Sequence, residues 1–297
     1  MQIGGDIMKI RKIASMAMAV SMAASLAACG SSAQQAESAA ESVVSQEASE
    51  VASDVESKEA DVTTAAETEA AASEAAGGKL TMATNAEFEP WEFHEGDDIV
   101  GIDPEVAQAI AEKLGMEYAV EDMAFDAVIP AVATGKADIG MAAITVTEER
   151  KSSVDFTDTY AESALVVIVK SDNTDITGAD TLEGKKVGVQ NGTTGDLKAS
   201  ELAGDDNVER FPSYFEAIQS LKQGKVDAVV IDTAPAKVFL SQNDDLKQVG
   251  EEMDKEEYAI AVKKGNTELV EKLNTAIAEL KEDGTFDEIV NKYIPAE

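Results

Sequence analysis

From Lys79 onward the chain alternates short apolar runs with amphipathic stretches, the pattern of an α/β protein. K-L-T-M-A-T, Lys79 to Thr84, predicts a short strand. Asp103–Gly115 predicts a helix, because Val106, Ile110 and Leu114 return every four residues and mark one buried face. Asp103 can cap its start, Pro104 suits the first helical position and Gly115 closes it. Two later segments share one pattern. They are F-D-A-V-I-P-A-V-A-T-G-K-A-D-I-G-M-A-A, Phe125 to Ala143, and Y-F-E-A-I-Q-S-L-K-Q-G-K-V-D-A-V-V-I-D, Tyr214 to Asp232. Each predicts a helix ended by Gly in a left-handed cap, then Lys, a small apolar residue, Asp and a strand. Ile129 aligns with Ile218, Val132 with Leu221, Gly135 with Gly224 and Asp138 with Asp227. The repeat implies two α/β lobes built from one unit. Ligands of open α/β sheets collect outside the carboxyl ends of the strands. Two facing lobes would therefore bring Ala143 and Asp232, which end the two repeats, to one cleft.

Upstream the pattern changes. Met8–Lys12 is basic, Ile13–Ala24 is apolar but too short to span a bilayer, and L-A-A-C-G follows at Leu26–Gly30. The clean basic start at Met8 leaves either Met1 or Met8 as the initiator. L-A-A-C resembles a bacterial lipobox, which implies a signal peptide over 1–28 and a diacylglycerol thioether on Cys29. Residues 29–78 are Ala, Ser, Glu and Thr with few large apolar side chains, too little apolar surface to offset the entropy of ordering. They are expected to form a disordered tether, whose coil would span roughly 35–40 Å r.m.s.; a helical stalk is the alternative.

Composition narrows the chemistry. The 297 residues carry a formal charge of -34, which repels nucleic-acid phosphates and anionic lipid alike. Membrane attachment must then come from the lipid. One cysteine allows no internal disulfide, and one histidine, His94, argues against a His-rich metal site or a Cys–His nucleophile. No metal or cofactor is expected.

Four further stretches, in order, carry a resemblance over Lys79–Ile294. They are I-G-M-A-A-I-T-V-T-E-E-R-K-S-S-V-D-F-T-D-T-Y from Ile139, K-K-V-G-V-Q-N-G-T-T-G, D-A-V-V-I-D, and L-K-E-D-G-T-F-D-E-I-V-N-K-Y. Together they resemble the amino-acid-binding family of bacterial ABC-transporter solute-binding proteins. The resemblance implies a type II periplasmic-binding-protein fold: two Rossmann-like α/β lobes joined by two hinge strands, with the ligand in the interlobe cleft. The lobes are expected at 79–160 plus 259–297 and at 161–258, with hinges near Tyr160–Ala164 and Asp254–Tyr258. The implied role is an extracytoplasmic, lipid-anchored monomer that closes on a free polar L-amino acid and delivers it to the permease of an importer. An amino-acid-sensing surface lipoprotein is one alternative. A dehydratase-like enzyme is another, with Glu87 as its one evident general acid.

A free amino acid presents a carboxylate, an ammonium group and a side chain, and each needs a partner once water is excluded. Arg150 offers a permanently charged fork for the carboxylate and stands in T-E-E-R, where the resemblance places the clamp. Arg210 has no motif around it and reads as a surface arginine. Thr193 and Thr194 lie in G-T-T-G, after a strand and at the start of a helix whose amides favour an anion. The carboxylate is expected between Arg150 and the Thr194 amide. Asp232 is the acceptor expected for the ammonium group; capping the following helix is its plainer role. Ala143 and Thr145 should line the first lobe's wall. By resemblance, Phe88 and Phe125 flank the side chain, and Asn85 and Gln190 read its far end. Trp91 is expected in the core. Many relatives carry Asp where Asn85 stands, so a strictly cationic ligand is less favoured unless Glu87 or Glu89 restores the charge.

Overall fold

The computed structural model describes residues 78–294; Cys29, the signal segment and the tether up to residue 77 lie outside the described residues. In chain order the elements are β1 (Lys79–Thr84), β2 (Glu87–Phe88), β3 (Glu92–Glu95), β4 (Asp98–Val100), α1 (Ile102–Leu114), β5 (Glu117–Asp122), α2 (Phe125–Thr134) and β6 (Ile139–Gly140). Next come α3 (Glu148–Ser153), β7 (Val154–Phe156), β8 (Ala161–Lys170), β9 (Val187–Gln190), α4 (Thr194–Ala203), β10 (Val208–Phe211) and α5 (Tyr214–Lys222). The chain closes with β11 (Ala228–Asp232), α6 (Thr233–Gln242), β12 (Leu246–Val249), β13 (Lys255–Tyr258), β14 (Ala261–Lys263), α7 (Thr267–Glu282) and α8 (Thr285–Tyr293).

Two mixed sheets organise these elements into two lobes. The first runs β5-β1-β6-β14-β7 and the second β10-β9-β11-β8-β12, while β2, β3 and β4 form a small antiparallel sheet. Within β8, Leu165–Val169 is buried without a break, as a strand covered on both faces requires. The chain passes from the first sheet to the second between β7 and β8 and returns between β13 and β14. At these crossings β13 pairs antiparallel with the start of β8, Tyr258 opposite Ala161 and Lys255 opposite Ala164.

The repeat read from the sequence is repeated in the hydrogen bonds. In the first copy Gly135 N–H donates to Val132 O and Lys136 N–H to Ala131 O. In the second, Gly224 N–H donates to Leu221 O and Lys225 N–H to Ser220 O. Both glycines have positive φ, 77° and 68°, the conformation that ends a helix cheaply only without a Cβ. The paired aspartates act alike. Asp138 accepts the Thr81 N–H at 2.8 Å, and Asp227 accepts the Lys186 N–H at 2.9 Å. Each aspartate thus ties the start of its own strand to the neighbouring parallel strand.

One expectation about α1 is corrected. Asp103 does not cap the helix; Gly101 occupies that position without a side-chain bond, and Pro104 is the third helical residue, two positions deeper than expected. Asp103 is fully buried, and its carboxylate takes the Ala143 N–H at 2.8 Å and the Tyr160 hydroxyl at 2.8 and 2.9 Å. Two tertiary donors outcompete the local amides of the helix start. Gly115 ends the helix at φ 67° as expected.

Candidate ligand-binding site

A small cavity lies between the two sheets, about 310 Å³ of empty space counted together with its opening to solvent. Its wall contains Asn85, Phe88, Phe125, Ala143, Thr145, Arg150, Gln190, Thr193, Thr194 and Asp232, together with Glu92 and Ala142. All ten residues singled out in the sequence therefore meet around one space. Trp91 does not line it. Its indole is buried edge-on against Tyr258, with ring centroids 5.0 Å apart.

Arg150 reaches the cavity because Thr147 caps α3, its hydroxyl accepting the Arg150 N–H at 3.1 Å. The guanidinium lies over the Phe125 ring, 5.4 Å from its centroid. One nitrogen donates to Thr145 O at 2.7 Å, the other to Gly192 O at 3.0 Å. Two of its five N–H donors are thus held by carbonyls and three remain for an anion. Burial lowers the guanidinium pKa, opposed by the charges of Glu256 and Asp232. Arg210, by contrast, pairs with Asp196 and Asp205 away from the cavity.

Opposite Arg150, the G-T-T-G run turns at Gly192, φ 78°, into α4, with Thr193 capping the helix through the Asp196 N–H at 3.1 Å. The next glycine permits close packing: a Cβ on Gly195 would stand 3.0 Å from the Tyr214 hydroxyl and 3.2 Å from Val230 O. Asp232 ends β11 and stands first before α6, but its side chain makes no capping bond. It accepts the Tyr258 hydroxyl at 2.7 Å instead. Burial raises its pKa to about 7, opposed by that hydroxyl.

The lobes touch across the cavity. Gln190 Nε2 donates to Asn85 Oδ1 at 2.7 Å, and Asn85 Nδ2 donates to Met123 O at 3.0 Å, which fixes both amides. Asn191 donates to Asp126 at 2.7 Å, and Phe88 stacks on Tyr214 at 5.5 Å between centroids. With the Arg150–Gly192 bond these contacts describe a closed arrangement.

Three buried carboxyl groups of the site escaped the sequence reading as site residues. Glu87 and Glu89, the expected sources of added charge, are exposed and outside the wall; Glu92 on β3 faces inward, 1% exposed. Burial raises the Glu92 pKa well above the ordinary range, and the neighbouring Asp103 carboxylate raises it further. Asp103 itself is raised to about 6 by burial, opposed by the bonds from Ala143 and Tyr160. Glu256, on β13, is 2% exposed and accepts the hydroxyls of Thr145 and Thr194. The alternation of β13, with Lys255 and Glu257 out and Glu256 and Tyr258 in, is the one signal that could have found it. Among the described residues no cluster of metal-ligating side chains is present.

Residues 80–296 match the model of the bacterial extracellular solute-binding proteins, family 3. The arginine-binding extracellular protein ArtP of Bacillus subtilis (strain 168) is 35% identical over 230 residues, covering 76% of this chain and 89% of the relative. An ancestral arginine-binding protein solved with arginine is 45% identical, with TM-score 0.70, over 73% of this chain and 98% of that one. The ancestral arginine-binding protein solved with glutamine is 44% identical, with TM-score 0.70, over 74% and 99%.

Proposed function

The chain belongs to family 3 of the bacterial extracellular solute-binding proteins, and from that premise we propose that it captures one free polar L-amino acid by hinge closure and presents it to the permease of an ABC importer. The observation that carries this reading is Arg150 on one lobe facing Asp232 on the other across a closed cavity. Arg150 and the amide of Thr194 take the carboxylate, and Asp232 takes the ammonium group. The ligand's two charges then stabilise the closed state over the open one. The moving bodies are residues 79–160 plus 259–297 and residues 161–258.

The side chain lies between Phe88 and Phe125 and ends at Asn85, Gln190 and Glu92. Arg150 is the one cation of the wall, against the carboxyl groups of Glu92 and Asp232, with Asp103 and Glu256 behind them. That balance disfavours an acidic ligand and favours a basic one. Arginine is the first candidate, in keeping with the arginine-binding relatives. Glu92, although burial disfavours its charged form, adds a hydrogen-bonding carboxyl group to the wall.

The protein acts as a monomer outside the cytoplasm, held at the membrane by lipid on Cys29. A thermal-shift screen of the free amino acids tests the reading. A ligand at a hundred times its Kd stabilises by about 2.7 kcal/mol, which should raise Tm by roughly 5–10 °C in a domain of this size. Arginine should give the largest shift, and a flat response to every amino acid would overturn the proposal.

A further inference from the structure

The ammonium end of the site has a support that does not itself touch the cavity. Glu256 is absent from the cavity wall, yet it lies directly behind two residues that form it. Its Oε2 accepts the hydroxyl proton of Thr145, from the first lobe, and that of Thr194, from the second, the latter at 2.9 Å. A carboxylate only accepts, so both hydroxyls must donate to it. A hydroxyl has one proton and two lone pairs. Once the proton points back at Glu256, the face turned to the cavity carries lone pairs only.

The same strand supports the third acceptor. Tyr258 lies two residues on and on the same face of β13, and it donates to Oδ1 of Asp232 at 2.7 Å. The other oxygen of Asp232 stays available. Thr145 is held from two further sides: its carbonyl accepts Arg150 Nη1 at 2.7 Å, and its backbone bridges to Tyr258. Its backbone is therefore fixed, and the bond to Glu256 sets the direction of its hydroxyl proton. Buried charge of this kind is costly unless paired; here the two hydroxyls and the nearby Arg150 charge oppose the effect of burial on Glu256.

We propose that Glu256 is a positioning residue that makes the site selective for an α-ammonium group, by turning the lone pairs of Thr145 and Thr194 towards the cavity beside Asp232. This rests on the amino-acid reading given above. A ligand of the same shape without the ammonium group would meet three uncompensated acceptors, and the site would reject it. Glu256 thus acts through the threonines, and its loss should erode selectivity rather than simply weaken every ligand.

Isothermal titration of L-arginine and of 5-guanidinopentanoate, which is arginine without its α-ammonium group, tests the idea. In Glu256→Leu no acceptor stands behind the two threonines, so both hydroxyl protons are free to turn towards the cavity. Arginine should then bind roughly tenfold to a hundredfold more weakly, with 5-guanidinopentanoate changed by less than about threefold. The ratio of the two affinities must narrow. Equal loss for both ligands would mean a merely structural role and would overturn the proposal, as would an unchanged ratio. Should Glu256→Leu fail to fold, Thr145→Val carries the same test: it removes one oriented oxygen and leaves Glu256 in place, and an unchanged ratio there is equally fatal. Wild-type protein that binds no amino acid would sink the amino-acid reading itself. Wild-type protein that binds arginine, with a variant that keeps the full ratio, would sink only the role of Glu256.

Discussion

The carboxylate of Asp103 holds the backbone N–H of Ala143 at 2.8 Å, 40 residues further along the chain. Ala143 has φ 46°, the only positive value outside glycine among the described residues. That conformation costs an L-residue roughly 1–2 kcal/mol, so it needs an outside anchor. Asp103 is the anchor, and through the Tyr160 hydroxyl it also reaches the segment where the chain crosses between lobes. Asp103→Ala orphans two buried donors, at about 1–3 kcal/mol each. Urea unfolding should show the loss; a change below about 0.5 kcal/mol would show that Ala143 needs no such anchor.

Arg150→Ala should lower amino-acid affinity by roughly 30-fold or more, the cost of truncating one partner of a buried charge pair. Arg150→Lys should not restore it, since a compact ammonium cannot hold the carbonyls of Thr145 and Gly192 and a carboxylate together. Calorimetry with circular dichroism separates lost binding from lost fold. Affinity that survives the alanine variant would place the carboxylate elsewhere.

The raised pKa of Asp232 sets a pH dependence. Its ordinary value is 3.8, and burial moves it to about 7. In the closed arrangement without ligand, the folded state therefore binds the proton more tightly than the unfolded chain does. This group's contribution to stability falls as pH rises from about 4 to about 7 and is constant above. A ligand ammonium needs the carboxylate, so binding below about pH 7 expels a proton, and affinity climbs by up to tenfold per pH unit before levelling off. Calorimetry near pH 6 in two buffers of different ionisation enthalpy should report close to one proton released. Asp232→Asn should bind weakly and without this release; the same proton count in that variant would assign it to Glu92 or Asp103.

Asn85→Asp tests the far end of the pocket. The new carboxylate can still accept from Gln190, which Asn85 Oδ1 now does at 2.7 Å, but it cannot donate to Met123 O. The added charge should raise the arginine-to-glutamine affinity ratio by roughly tenfold, a value typical of one charge-assisted bond. No change in the ratio would mean that the ligand side chain ends short of residue 85.

Cys29→Ser removes the thiol on which the lipid is expected. Fractionation should move the protein from membranes to the soluble extracytoplasmic fraction, and persistent membrane association would refute the anchor.

Local rules made much of this molecule legible. The Gly-Lys-small-Asp pattern after each repeat helix encodes a helix end and a strand start, both decided within a few residues, and the hydrogen bonds around Gly135 and Gly224 follow it. Because ligands gather at strand ends, the repeat also pointed to Ala143 and Asp232, and the resemblance pointed to the rest of the wall except Glu92 and Ala142. Asp103 was misread for a related reason: a carboxylate at a helix start is a cap by local rules, and only the approach of Ala143 and Tyr160 gave it better partners.

The sequence by itself determined the α/β units, their duplication and the side chains around the cavity. The tertiary structure decided which carboxyl groups turn inward. Glu87, Glu89 and Glu92 lie within six residues, as Glu256 and Glu257 lie side by side, and their chemistry is the same. Side chains on a strand alternate between faces, so a shift of one residue in pairing exchanges the buried and the exposed member. β3 against β2 and β4, and β13 against β8, fix that register and bury Glu92 and Glu256. Beyond the short alternation around Glu256, no local property distinguishes a glutamate bound for the cavity from one bound for water; the partner strand does.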